Sequence, residues 1–420
     1  MYQKTTLNNG LRVITAPMPH TRAVSICIFI GTGSRYESKA KAGISHFIEH
    51  LCFRGTHKRP TAREISTAIE GVGGIINAGT DKELTIYWCK VGKPHFSLAL
   101  DVLADMLLHS RFNPEDIERE RQVIIEEINM SKDSPSQRAD MLIDGLLWPG
   151  HPLGRDIAGS KESVLAITRN AMLDYMASQY QPKSTVISIA GALRHREIVT
   201  AINRAMGSWA GQEPHTGYLA YKSRSGQRLH IETRDTEQAH LCLALPGLSL
   251  SHPRRFVLDL LNIILGEGMS SRLFTEIRDR LGLAYSIQSY VEHFLDSGSV
   301  TIHAGVEPGK LQVAIKAILE QLSRLREPVS EPELSKAKEL SKGRLLLRME
   351  DSRSVSGWIG GQELLTGRIL SVDDVLSIID AITADELQNL ARELLAENRL
   401  RLTVVGPVNS DSPLEELLKL

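Results

Sequence analysis

His46, Glu49 and His50, within the run His46-Phe47-Ile48-Glu49-His50, are residues of the types that hold a divalent metal and move a proton. On a helix of 3.6 residues per turn the two histidines stand one turn apart with Glu49 on the same side, so all three can reach one ion. Two imidazoles and a carboxylate from elsewhere would fill three positions of a tetrahedral Zn²⁺ and leave the fourth for water, as catalytic rather than structural zinc sites do. Glu49 would then act as the base.

Residues 113–128 offer the third ligand. Asn113 suits an N-cap, Pro114 the first helical position, and the acids that follow suit the helix dipole. Ile117, Ile124 and Ile128 mark the buried face of this helix. Glu120 and Glu127, seven residues apart, fall within about 20° of each other at its edge, while Glu126 points roughly 100° away. Carboxylates bordering an apolar stripe are unfavourable unless a charged partner or a metal meets them. Glu127 is therefore the expected third ligand and Glu120 a carboxylate that orients the site from behind. An ordinary charged helix with its acids in solvent is the competing reading.

With Glu127 lying 77 residues beyond His50, this set resembles the inverted zinc motif of the pitrilysin/insulinase metallopeptidases, and the chain length resembles their mitochondrial-processing-peptidase-like branch. Residues 31–37, 53–56 and 73–80 agree, and the similarity runs over nearly the whole chain. The resemblance implies a pair of homologous α+β domains, each a largely antiparallel sheet packed with helices. It implies one Zn²⁺ per chain and hydrolysis of unfolded peptides or presequence-like segments inside a closed chamber, formed by a homodimer or by a heterodimer with a related chain. It also implies that Arg278 and Tyr285 hold the substrate backbone and its oxyanion, acting in trans, and that Asn77 and Ala78 lie beside the scissile bond. On the residues alone, Arg278 is a helix-surface charge and Tyr285 a strand residue. Residues 73–80 are either an edge strand open to an extended peptide or a glycine-bent hairpin strand. A non-catalytic scaffold or assembly subunit on the same fold is the alternative function, and a zinc hydrolase acting on other bonds a third. Scaffold relatives usually lack parts of the zinc set, which is whole here.

The elements that must position these residues belong to a chain of 420 residues, more than one hydrophobic core holds, with 42% apolar residues to fill two. Lys plus Arg number 49 and Asp plus Glu 50, so no basic field points to nucleic acid or an anionic membrane as partner. Four cysteines without paired spacing fit a reducing, cytoplasmic setting. Cys52, two residues past His50, is either a thiol beside the site or a buried core cysteine. The apolar run Ala23–Ile30 is too short for a membrane span and lacks the basic lead-in of a signal peptide, and it reads as a buried strand.

An internal duplication recurs at 215 residues: Ala166-Ile167-Thr168, a helix and a strand closing at Gly191, then Ala381-Ile382-Thr383, a helix and a strand closing at Gly406. It sets a zinc-binding domain at 1–207, a linker at 208–226 and a homologous domain without metal at 227–420, in which residues 256–265 lack histidine and Lys336, Lys338, Lys342 and Arg344 replace the acids of the 113–128 helix. Strands and helices mix without regular βαβ alternation, which favours α+β over a doubly wound fold. Residues 266–269 and 357–361 are glycine-rich and read as flexible turns.

Overall fold

The computed structural model describes residues 2–213, 217–224 and 226–420, so the expected linker lies partly outside the described residues. The first sheet has six strands: β1 Gln3–Thr6, β2 Arg12–Pro17, β3 Ala23–Ile30, β4 Ile75–Thr80, β5 Thr85–Gly92 and β6 Thr185–Gly191, in the order β1-β2-β6-β3-β5-β4. The second has β7 Leu229–Thr233, β8 Ala239–Pro246, β9 Ala284–His293, β10 Gly298–Val306 and β11 Arg401–Gly406, in the order β7-β11-β8-β10-β9. Each sheet holds one parallel pair, β2–β6 and β7–β11, and is otherwise antiparallel. With β1 set aside, the two orders correspond strand for strand, which is the duplication made visible. Both units are α+β, each a mixed sheet packed with helices.

β3 reads as a continuous apolar run because it is central and covered on both faces. One face packs on the Ile44–Cys52, Phe96–His109 and Pro114–Asp133 helices through Ile26, Ile28, Phe47, Ile48, Leu103 and Ile124, all fully buried. The other face is covered by the Ser352–Thr366 helix, through Ile359 on Cys27 and Phe29.

That covering helix comes from the far half of the chain, and the exchange is reciprocal. The first compact unit comprises residues 1–128, 156–219 and 346–371, the second residues 129–155, 220–345 and 372–420. The Pro135–Leu147 helix thus lies on the second sheet, packing Ala139 and Ile143 against Cys242, Ala244 and Val405. The two exchanged helices begin 217 residues apart, so they are copies of one repeat element.

Residues 357–361 are not a turn: they lie inside the Ser352–Thr366 helix. The glycine serves close packing. A Cβ at Gly360 would come within 2.3 Å of the Phe29 ring, and one and two turns earlier Ser356 and Ser352 bond the sheet directly. Ser356 Oγ donates to Ser188 O at 2.7 Å, and Ser352 Oγ pairs with Ser25 Oγ at 2.9 Å. Small residues every four positions let this helix sit against the strands. Of residues 266–269, Gly266 ends the Arg255–Gly266 helix, and 267–269 lie in the bend and turn that follow, with Gly268 at φ +97°.

All four cysteines are buried and unpaired. Among the described residues no helix is long and apolar enough to cross a membrane.

Candidate metal centre

The Ile44–Cys52 helix starts at Gly43, whose φ of +92° and close approach to Ala158 O, 2.3 Å from where a Cβ would sit, admit only glycine. The helix is capped by a distant carboxylate: Glu37 accepts from Gly43 N at 2.7 Å and from Ser45 N at 2.8 Å, a negative charge at the positive end of the dipole. Ile44, Phe47, Ile48 and Leu51 turn inward and fix its rotation, which leaves His46, Glu49 and His50 on the opposite side.

The Pro114–Asp133 helix is held alongside by Arg121. Its guanidinium lies 5.3 Å from the Phe47 ring centroid and donates to Ile167 O at 3.0 Å and to Val164 O. From this helix Glu127 reaches the histidines. Its Oε2 is 3.8 Å from His46 Nε2 and 3.7 Å from His50 Nε2, and the two Nε2 atoms are 3.2 Å apart. Glu126 is exposed on another side.

These three donors suit a zinc ion. Two imidazole nitrogens turned toward each other beside a carboxylate repel unless a proton or a cation lies between them, and one ligand atom from each residue falls within 4.8 Å of the others. Burial, then the charge of His50, lowers the His46 pKa to about 4, so its imidazole is neutral and carries a lone pair at neutral pH. Its buried Nδ1 has no hydrogen-bond partner among the described residues. Glu120 is 2% exposed, and its Oε2 accepts from His50 Nδ1 at 3.0 Å, which leaves Nε2 as the donor atom facing the cluster. Arg54, one turn beyond His50, pairs with the other Glu120 oxygen. Burial raises the Glu120 carboxyl, but the bonds from His50 and Arg54 outweigh it and hold it below its ordinary value. For His50 burial lowers the pKa, and Glu120, Glu127 and Glu49 together more than reverse that.

Glu49 projects beside the cluster. Its Oε2 accepts the Thr80 hydroxyl at 2.6 Å, and burial, only partly opposed by that bond and by His50, raises its pKa above the ordinary carboxyl value. Thr80 ends β4, which among the described residues pairs with β5 alone and so is the edge of the sheet. Asp81 N donates to Leu84 O at 2.8 Å, so in this antiparallel register the odd-numbered residues of β4 bond β5, and Ile76, Ala78 and Thr80 turn their N–H and C=O groups to the free edge. Asn77 is exposed, and its Oδ1 accepts from Ala78 N at 2.7 Å. Cys52 is a core residue, its Sγ 3.6 Å from the Tyr87 hydroxyl.

Arg278 and Tyr285 lie in the second unit. Arg278 sits in a π-helical segment, Phe274–Arg280, with its guanidinium 4.6 Å from the Phe274 ring centroid and 5.1 Å from that of Tyr285, which is 78% exposed at the start of β9. The structure thus brings these two together. Arg54, Thr80, Arg121 and Glu37 are functional neighbours that the sequence reading did not assign. Only Arg54 carried a signal, its i+4 spacing from His50.

Residues 12–161 match the family "Insulinase (Peptidase family M16)" and residues 166–341 match "Peptidase M16 inactive domain". An "uncharacterized zinc protease YmxG" of Bacillus subtilis (strain 168) is 37% identical over 408 residues, covering 97% of this chain and 98% of that one. A crystal structure of a protease from Helicobacter pylori superposes with TM-score 0.92 at 23% identity over 97% of this chain and 99% of that one. A "peptidase M16 inactive domain" from Pseudomonas fluorescens does so with TM-score 0.91 at 17% identity over 98% and 100%. These two show the same fold. By its matches to both halves of the family and its full-length relative, the chain belongs to the M16 (pitrilysin/insulinase) family of zinc-metallopeptidase-like proteins.

Proposed function

We propose that this chain is a zinc-dependent endopeptidase of the inverted-motif, processing-peptidase-like branch. The carrying observation is the convergence of His46 Nε2, His50 Nε2 and Glu127 Oε2 with Glu49 beside them. His46, His50 and Glu127 would hold the zinc. A zinc ion held there would supply Lewis acidity, to polarise a carbonyl and to make water a better nucleophile at neutral pH. Glu49, whose pKa burial raises above the ordinary carboxyl value, would take a proton from water and return it to the leaving amine. Glu120 keeps His50 in one tautomer and orientation. An extended peptide would add to the free edge of β4 at Ile76, Ala78 and Thr80, a mode that demands an unfolded substrate and supports oligopeptides or presequence-like segments. Asn77 and Ala78 flank the scissile bond in this reading.

Arg278 and Tyr285 would steady the charge that develops on the substrate carbonyl oxygen. The exposure of Tyr285 is what a residue completing a site on association of two chains, identical or related, would show. Residues 1–207 then serve as the metal-binding half and residues 227–420 as the half carrying Arg278 and Tyr285. Four unpaired cysteines support a cytoplasmic setting.

Cleavage of a quenched-fluorescent peptide library tests this. Glu49→Gln should lower kcat by about 10²–10⁴-fold with zinc content unchanged. A chain that purifies without zinc and is indifferent to that substitution is a scaffold instead.

A further inference from the structure

The second unit contains a group of metal-ligating side chains that the peptidase reading does not use. Asp140 on the Pro135–Leu147 helix, Cys242 on β8 and His303 on β10 each place a ligand atom within 4.8 Å of the other two. Cys242 and His303 are direct cross-strand partners, so their side chains leave the same face of the sheet, and the Asp140 helix lies across it. Around them lie the apolar Ala139, Ile143, Ala244, Phe294 and Val405, with the Tyr290 hydroxyl and a second carboxylate, Asp144, near enough to act on Cys242 and Tyr290.

We propose that Asp140, Cys242 and His303 form a second metal site, for a thiolate-binding divalent cation of the zinc type, with His240 as the available fourth ligand. The charge balance favours it. A half-buried carboxylate in an apolar layer needs a cationic partner, yet the Asp140 Oδ1 contacts are the Cys242 thiol at 3.1 Å and the Tyr290 hydroxyl at 3.1 Å. One divalent cation offsets one thiolate and the Asp140 carboxylate, and the nearby Asp144 charge adds to the negative field that favours a cation there. On binding, the thiol loses its proton to solvent and the sulfur electron pair goes to the metal, with no change of oxidation state. Burial holds both His303 and His240 below the ordinary imidazole value, neutral and able to ligate. His240 Nδ1 is buried without a hydrogen-bond partner among the described residues, and its ring centroid is 5.9 Å from that of His303. Ser136 Oγ, 3.0 Å from His303 Nε2, and the Tyr290 hydroxyl are outer partners that orient ring and carboxylate. A nucleophilic Cys–His–Asp role does not fit, because Cys242 is 0% exposed and a reactive thiol needs access. Sulfur among the donors separates this site from the first centre, which has nitrogen and oxygen only.

Cobalt reads the difference directly. The full chain, stripped of metal and titrated with Co²⁺ alone, should show a thiolate-to-cobalt charge-transfer band that saturates with the intensity of one thiolate ligand per chain. That band should persist in His50→Ala and vanish in Cys242→Ser. His303→Ala keeps every thiol and should weaken the band-forming equivalent by about tenfold or more, which covers the case of a Cys242 variant that fails to fold. The proposal is overturned by a wild-type chain that takes up cobalt without the band, or by a band that survives Cys242→Ser. The cluster is then a thiol and a phenol hydrogen-bonded to a carboxylate.

Discussion

The Thr80 hydroxyl donates to Glu49 Oε2 at 2.6 Å, tying the carboxylate that would serve as base to the last residue of the open edge strand. In the proposed mechanism, substrate pairing on β4 and proton transfer at Glu49 would therefore share one hydrogen bond. The bond favours the ionised carboxylate against the burial that disfavours it.

Thr80→Val removes that bond and keeps the shape. The Glu49 pKa should rise further, and because the base must be ionised to act, the acid limb of the kcat/KM profile should move to higher pH. An unchanged acid limb in rate measurements across pH 4 to 8 would contradict the link.

The outward phase of the even-numbered residues makes β4 tolerant at one position and intolerant at the next. Ala78→Pro deletes an N–H that faces the free edge and is met there by the Asn77 side chain, so the fold should survive, while KM for peptide, which would take that N–H from Asn77, should rise by roughly two- to tenfold, the loss expected for one hydrogen bond of about 0.5–1.5 kcal/mol. Gly79→Pro deletes an N–H that faces β5 and should lower the melting temperature instead. Peptide kinetics and thermal melts of the two variants read the contrast, and equal behaviour would reject the register argument.

Glu120→Gln leaves the size of the side chain and removes the charge behind His50. Zinc affinity should fall about 10–100-fold, measured by competition with a chelator of known strength. The Arg54 pair is lost with it, and Arg54 is half-buried against the nearly inaccessible Glu120 carboxylate.

Gly43→Ala meets both a left-handed backbone and Ala158 O. The backbone alone costs about 1–3 kcal/mol, and the displaced helix start should loosen the histidines. The melting temperature and zinc affinity should fall together. A variant with lowered stability and unchanged affinity would mean that the start of the helix does not set the site.

Much of this centre was legible because it rests on periodicity. His46 and His50 at i and i+4, and Glu120 and Glu127 at i and i+7, share helix faces whatever the tertiary fold, and the 215-residue repeat announced two matching sheets. Contacts across elements left no such trace. Thr80 on Glu49, Glu37 under the Ile44–Cys52 helix and Arg121 over Phe47 depend on how strands and helices meet in space. The glycines of residues 357–361 were misread as a turn because local propensity is blind to a helix that needs small residues where it lies against Phe29 and Ser188. The exchange of the Pro135–Leu147 and Ser352–Thr366 helices is likewise invisible in pattern, since an amphipathic face does not say which of two similar sheets it will cover.

The central claim is that one zinc ion is gripped by His46, His50 and Glu127, and anomalous scattering at the zinc edge from a zinc-equilibrated crystal tests it most directly. The account predicts a peak about 2.0–2.2 Å from both Nε2 atoms and from a Glu127 carboxylate oxygen, with Glu49 near the ion and outside its coordination shell. A map with no peak among those three side chains, at full zinc occupancy elsewhere or none at all, would contradict it.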